Sequence, residues 1–480
     1  MKISNNELFI NDDVTDDVYE KIKSFLYGLD DIKLTIKDSS ICLDEFEIPD
    51  AVSSFKLDGC SFKTQTKISN LNYGRSFSIR NCKKKFFTGN VTIQNIHCTE
   101  FNIVENYGHD PFDSLSPFIE DCTIDYLTCN IAQPPFFTRV NFKKKLKINS
   151  AETDGDHQLV FKECKFHRNS EIFINSPSPV VLTIQNCSSS DEIDNYNSAF
   201  FNASNIVIVK SLFISNSNLK NFTFSFFSIE LKEVEIENSD IGVLELSTID
   251  DNSNKKNTIY NMRITDSCVQ KLNLKNRELI HEIDFSNTYF HTPPIIHGSN
   301  IPEGSIIPDR KYFIGKNGVN DASRYRALRF IMESQRNRDL EGMFFSLEQE
   351  SLLNSKTKTK KYLSVSYLYY ILSDYGTNYR TPLFILLTSI PLFTIIYSMV
   401  NSTTLSINLP LDWKLITQSF IMALKQTFLP FDLLRNNNMV SDGAPGTHIA
   451  LILISLVNSI FSVSLLALSG LALRWKFKRG

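Results

Sequence analysis

Two side chains of this 480-residue sequence stand where polar groups are costly. Asp432 follows Pro430 in "KQTFLPFDLL" (Lys425–Leu434), between two long uncharged apolar runs. Asn458 lies inside the second run, with Ser455, Ser459, Ser462 and Ser469 near helical spacing. A carboxylate at bilayer depth, repeated in a ring of copies, would favour cations. An amide and hydroxyls in hydrocarbon need a partner helix or water. Asp432, Asn458, Ser455 and Ser462 are therefore the candidate pore or membrane-polar residues. The polar row reads first as a helix-packing seam and second as a conduit.

Other chemistry has less support. The nine cysteines all precede residue 270 and form no C-x-x-C, so a zinc ribbon or thioredoxin-type site is not indicated. The eight histidines show no metal-ligand spacing. Asp121, Glu163 and Glu237 recur at similar places in a repeat, which a polysaccharide-cleaving β-helix would require. Residues at such positions more often sit on a solvated face, and a cytosolic setting suits no secreted sugar polymer. No catalytic residue, cofactor or metal is expected, and a β-helix enzyme is the remote alternative. A net charge of -3 and the lack of a basic, aromatic-interleaved stripe argue against a nucleic-acid partner.

The elements that would position the polar candidates are two helices. Leu383–Val400 and Ile449–Leu473 carry no charge and match the ~20 residues needed to cross ~30 Å of hydrocarbon. Lys356, Lys358, Lys360, Lys361 and Arg380 precede the first run, and Arg474, Lys476, Lys478 and Arg479 follow the second. The connecting segment has Lys414, Lys425 and Arg435 alone. That bias predicts both termini on the cytoplasmic side of an inner (plasma) membrane. The start, "MKISNNELFINDD", has no apolar core of a secretory signal. An odd number of cysteines then reads as reduced thiols.

From about residue 50 to 290 a short motif recurs, as in "LDGCSF" (57–62), "IEDCTI" (119–124), "FKECKF" (161–166), "IENSDI" (236–241) and "ITDSCV" (264–269). Its fourth position runs Cys60, Cys82, Cys98, Cys122, Val140, Cys164, Cys187, Ser217, Ser239, Ser267, Thr288, at intervals of about 23 residues, the signature of a solenoid. The fold class is therefore mainly β: a right-handed parallel β-solenoid over 50–310, then a helical linker and two transmembrane helices. The six anchor cysteines are expected to form one internal ladder of small apolar side chains. Residues 1–49 read as a cap whose helix, Thr15–Leu29, buries Val18, Ile22, Phe25 and Leu26. Inserts near 106–117, 191–198 and 250–257 are loops where a protein or small ligand could be recognised.

Residues 320–382 change to helical spacing: Tyr325, Leu328, Met332, then Leu340, Met343 or Phe344, Leu347 and Ser351. Asn337–Asp339 suits the turn of a helical hairpin, whose arginines (Arg324, Arg326, Arg329, Arg336, Arg338) are expected to be solvated. Gly376 would end a third helix and Pro382 start the first span.

"YRALRFIMESQRNRDLEGMFFSLEQES", then "LSDYGTNYRTPL" and a terminal "LLALSGLALRWKFK", resemble bacterial pentapeptide-repeat-like membrane proteins with a C-terminal two-span, ion-channel-like module. The specific part covers about residues 321–382 and 465–479, and its linker motif falls on Tyr325, Glu348, Tyr375, Gly376, Arg380 and Pro382. The coils here are longer and less regular than five-residue repeats, and no "TVGYG"-like filter joins the spans, so potassium selectivity is not implied. The resemblance implies a lipid bilayer as partner, a homo-oligomer, and a channel-like or membrane-perturbing effector with a cytosolic sensing solenoid. The alternative is a membrane-anchored scaffold or sensor with non-conducting spans.

Between the spans, 412–432 reads as an interfacial or re-entrant segment within a transmembrane hairpin, 383–480. Trp413, Ile416, Phe420, Leu424 and Phe428 share one helical face, and two lysines make it a poor span.

Overall fold

The computed structural model describes residues 2–4, 6–84, 91–105, 115–150, 155–167, 170–189, 199–203, 209–226, 230–247, 257–401, 413–429, 431 and 445–477. The chain divides into two units, Met1–Gly315 and Lys316–Gly480.

The first unit is a parallel β-solenoid of about ten turns. Strands alternate buried and outward residues, as in His157–Lys162 (buried at His157, Leu159 and Phe161), so each short strand closes one side of a core. Parallel pairing begins at Glu7–Ile10, which runs antiparallel to Lys2–Ser4 and parallel to Ile32–Lys37, itself parallel to Val52–Asp58. The stack thus starts inside the segment expected to be a cap, because Leu8 and Ile10 alternate inward like later strands. The helix α1 (Asp16–Leu26) buries Tyr19, Ile22 and Leu26, while Phe25 is exposed. Tyr19 replaces Val18 and Phe25 on the buried face. Its ring packs on Phe46 at 5.0 Å, and its hydroxyl both donates to Glu47 O (3.0 Å) and accepts from Glu47 N–H (3.1 Å).

Each coil turns at more than one corner, and the strand registers show which residues share a corner. Asp58 pairs with Arg80, Arg80 with Val104 and Val104 with Asn130. Gln94 pairs with Glu120, then Thr138, Lys162, Gln185, Ser215, Glu237 and Thr265 in succession. Gln94 and Val104 lie in one strand, Val91–Val104, so these are two different corners. The single cysteine ladder expected from sequence is therefore divided. Cys60 and Cys82 follow the first corner, whereas Cys122, Cys164 and Cys187 follow the second. Cys98 follows neither: it pairs with Ile124 within the sheet, and Ile96 takes the place after the corner. Spacing alone could not separate two corners that recur with the same period.

At the second corner the residue before each anchor is left-handed. Asn95, Asp121, Arg139, Glu163, Asn186, Asn216, Asn238, Asp266 and Asn287 have φ between +47° and +55°. Asn and Asp tolerate this region better than other side chains. Arg139 does so while its guanidinium holds Asp121 of the preceding coil, at 2.6 Å (Nε) and 2.9 Å (Nη2). That pairing keeps the Asp121 carboxyl below the usual range.

The anchors themselves form a hydrogen-bonded spine. The N–H of Cys187 donates to Ser217 Oγ (3.0 Å), that of Ser217 to Ser239 Oγ (3.1 Å), and that of Ser239 to Ser267 Oγ (3.1 Å). Cys164 N–H reaches Cys187 Sγ at 3.3 Å in the same way. Each hydroxyl in turn donates to the carbonyl two residues earlier, at 2.8, 2.7 and 2.6 Å for Ser217, Ser239 and Ser267. From Cys187 to Ser267 the anchor is small because it is buried, and its O or S accepts the backbone N–H of the preceding anchor, a buried donor that needs a partner; Val140 shows that a small apolar side chain also fits the position.

The second unit is helical. α2 (Val319–Ser334) and α3 (Arg338–Asn354) form a hairpin, with Asn337 capping α3 by accepting the Leu340 N–H at 3.2 Å. α4 (Lys358–Tyr362) and α5 (Val365–Ser373) follow. α6 (Arg380–Asn401), α7 (Trp413–Phe428) and α8 (Pro445–Phe477) complete the unit. Two stretches, Arg380–Val400 and Ile449–Arg474, are long and apolar enough to cross a membrane.

Candidate functional site

The last three helices expose large apolar side chains and bury a mixed face, apolar in most of α6 and rich in serine and amide groups in α8. In α8 the buried residues are Leu451, Ser455, Asn458, Ser459, Ser462, Leu465, Ser469 and Ala472, one stripe at steps of three and four. Ile449, Leu453, Val457, Ile460 and Leu471 face outward. α6 buries Leu386, Ser389, Ile390, Phe393, Thr394 and Tyr397 and exposes Phe384, Leu387, Leu392, Ile395 and Met399. About 33% of each apolar stretch is buried, which is low for the core helix of a water-soluble protein.

α7 follows α8 in this. It buries Ser419, Ala423, Gln426 and Thr427, and presents Trp413, Phe420, Ile421, Leu424 and Phe428 outward. The apolar face read from the sequence is thus the outer one, and small or polar residues meet α6 and α8. Tyr397 of α6, Ala423 of α7 and Leu451 of α8 share one packed cluster.

Ser459 holds the end of α7. Its hydroxyl donates to Gln426 Oε1 at 3.0 Å and accepts the Phe431 N–H at 3.1 Å. Ser459 lies ten residues after Ile449 in the apolar stretch Ile449–Arg474, about 15 Å along the helix axis. The chain therefore leaves helical geometry beside the middle of α8, where Phe431 has φ +69°. Ser462 Oγ donates to Asn458 Oδ1 at 3.3 Å. Ser455, Asn458 and Ser462 are brought together in this seam, buried to 1% exposure or less. Asp432 lies outside the described residues, as do the segments 106–114, 191–198 and 250–256 assigned to recognition loops.

The linker motif gathers at the other end of the unit. Tyr325 is fully buried and stacks on Phe344 at 6.3 Å. Glu348, 3% exposed, accepts from Arg326 Nε at 2.8 Å and Arg329 Nη1 at 2.7 Å. Arg338 pairs with buried Glu341 at 2.6 Å, and Arg324 lies 3.5 Å from Asp321. The arginines expected to be solvated are, in these four cases, held by carboxylates. Sequence reasoning missed Glu341, although its i, i+3 spacing from Arg338 was a usable signal.

Asp374, Tyr375 and Gly376 are three successive left-handed residues, with φ of +48°, +58° and +81°. Ser346 Oγ of α3 donates to Asp374 Oδ1 at 2.7 Å, and Gly376 N–H donates to Ser373 Oγ at 3.0 Å. A Cβ on Gly376 would meet the Tyr369 hydroxyl at 2.5 Å. Arg380 opens α6, exposed, with its N–H donating to Asn378 Oδ1 at 2.9 Å. Pro382 falls in the first turn of α6, where its missing N–H costs nothing.

These features define a parallel β-solenoid joined to a helical unit with two helices able to cross a membrane. No protein family, curated protein or solved structure matches the chain.

Proposed function

We propose that the chain is an integral membrane protein whose α6–α7–α8 bundle is a channel-like module, assembled from several copies around an axis and governed by a cytosolic solenoid. One observation carries this reading: Gln426 and Phe431 are tied to Ser459, half-way along the apolar stretch of α8. A short helix that ends in irregular backbone at mid-depth is tolerated in hydrocarbon only where it faces protein or lines water. A helix lying flat at the interface would have no reason to hydrogen-bond there. In this reading Asp432 enters the axis and favours cations, the pentapeptide-repeat-like resemblance holds for the module, and both termini are cytoplasmic. The protein catalyses no reaction of its own, and its partners are lipid, further copies of itself and a ligand on the solenoid.

Purified full-length protein in planar bilayers tests the reading. Stepwise current is expected, with Asp432→Asn lowering the preference for cations. A silent bilayer with well-folded protein overturns it.

A second reading, a membrane-anchored scaffold, draws on the burial of Ser455, Asn458 and Ser462 inside the chain's own seam. Polar residues spent on helix packing are not free to line a conduit. Under this reading, deleting 401–448 while keeping both spans leaves function intact.

A further inference from the structure

The helical unit contains a cleft of about 410 Å³, lined by Arg329, Glu333 and Glu341, by Phe345, Tyr369 and Tyr375, and by Leu471 near the end of α8. That size falls among small-molecule sites, roughly 300–1,000 Å³. The Tyr369 and Tyr375 rings stand at 90° with centroids 5.7 Å apart, which gives the cleft an aromatic corner. Burial pushes the Tyr369 phenol up, so it stays neutral.

The charges of the lining are unequally answered. Arg329 and Glu333 are spaced i, i+4 on α2, where opposite charges ordinarily pair. Here Arg329 turns instead to Glu348 at 2.7 Å, with its guanidinium 5.6 Å from the Phe345 ring centroid. Glu341 is taken by Arg338 at 2.6 Å. Glu333 is exposed, and its carboxylate has no ion pair or hydrogen bond among the described residues. The lining therefore offers aromatic faces and one unmatched carboxylate.

We propose that this cleft binds an organic ammonium ion with an apolar body. The ammonium group sits against the Tyr369–Tyr375 corner and the Glu333 carboxylate, and the apolar body against Phe345 and Leu471. Aromatic faces attract such cations through their quadrupole, and desolvation strengthens the attraction. Glycine at 376 keeps the Tyr369 hydroxyl on the rim, because any side chain there would displace it. Occupancy would bear on the left-handed turn Asp374–Gly376, four residues before α6. The proposal goes beyond the channel reading and does not need conduction.

Calorimetry on the full chain in detergent, with phenethylammonium, 2-phenylethanol and phenylacetate as probes, tests it. The cation is expected to bind saturably, about tenfold or more tighter than the neutral isostere, and Glu333→Gln to remove most of that difference. Tyr369→Leu is expected to weaken the cation more than the alcohol. Glu333 is exposed, so an unchanged melting profile of Glu333→Gln controls for folding. Equal affinity for all three probes, preference for the anion, or no response to Glu333→Gln overturns the proposal. A silent bilayer beside intact cation binding would remove the channel reading and leave this site standing.

Discussion

Ser459 of α8 and Gln426 of α7 are joined by a buried hydrogen bond of 3.0 Å, and the same serine hydroxyl accepts the N–H of Phe431 at 3.1 Å. One side chain thus fixes both the last turn of a short helix and the chain just after it. A double-mutant cycle with Ser459→Ala and Gln426→Leu in bilayer-mimetic micelles is expected to return a coupling between the average of about 0.6 and the maximum of about 1.7 kcal/mol for hydrogen bonds between membrane helices. Additive effects would mean that the contact does not hold the segment.

The anchor spine makes a sharper demand. Ser239→Ala removes the acceptor of the Ser217 N–H and leaves a buried donor unmet. A loss of about 1–3 kcal/mol is expected in the urea unfolding of the β-rich signal. Ser239→Cys should cost less, because Cys187 fills the same role for Cys164. If the anchor were a small filler alone, alanine would be nearly neutral.

Thiol chemistry should follow burial. All nine cysteines are free, and burial pushes the Cys122 thiol up to about 12 and those of Cys98 and Cys129 up as well. A thiol whose folded pKa is raised contributes its full stability below the unfolded value and loses it as pH rises towards the folded one. The solenoid is therefore expected to be stable to pH about 8.5 and to weaken progressively above it, as unfolded thiols ionise. Native alkylation at pH 8 should begin at Cys42, which is partly exposed, and spare Cys122 and Cys129.

Glu348 gathers two arginines, one of them half-exposed. Its replacement by alanine should cost about 2 kcal/mol, below the 3–5 of a fully buried pair, because Arg326 regains water. Thermal melting of the helical unit, with Arg326→Ala as a second arm, measures it.

Orientation can be read with an impermeant maleimide. Cys42 is expected to resist labelling in intact cells and to react after permeabilisation. Labelling before permeabilisation would place the solenoid outside.

How much of this was legible in the sequence depends on the range of the signal. The period of about 23 residues, the two uncharged runs and the helical hairpin are local patterns of side-chain polarity, and local patterns dictate which element forms. The division of the cysteines between two corners was not legible, because both corners recur with one period and only strand register distinguishes Asp58–Arg80 from Glu120–Thr138. The apolar face of α7 was visible, but not which way it points. Amphipathicity gives two faces and leaves the sign to the surroundings, and here Gln426 meets Ser459 while Trp413 faces out. The pairing of Arg326 and Arg329 with Glu348 likewise joins residues about twenty positions apart. Composition and spacing determined the parts; contacts between distant residues decided what each polar group answers, since a hydrogen bond or ion pair depends on where the chain returns.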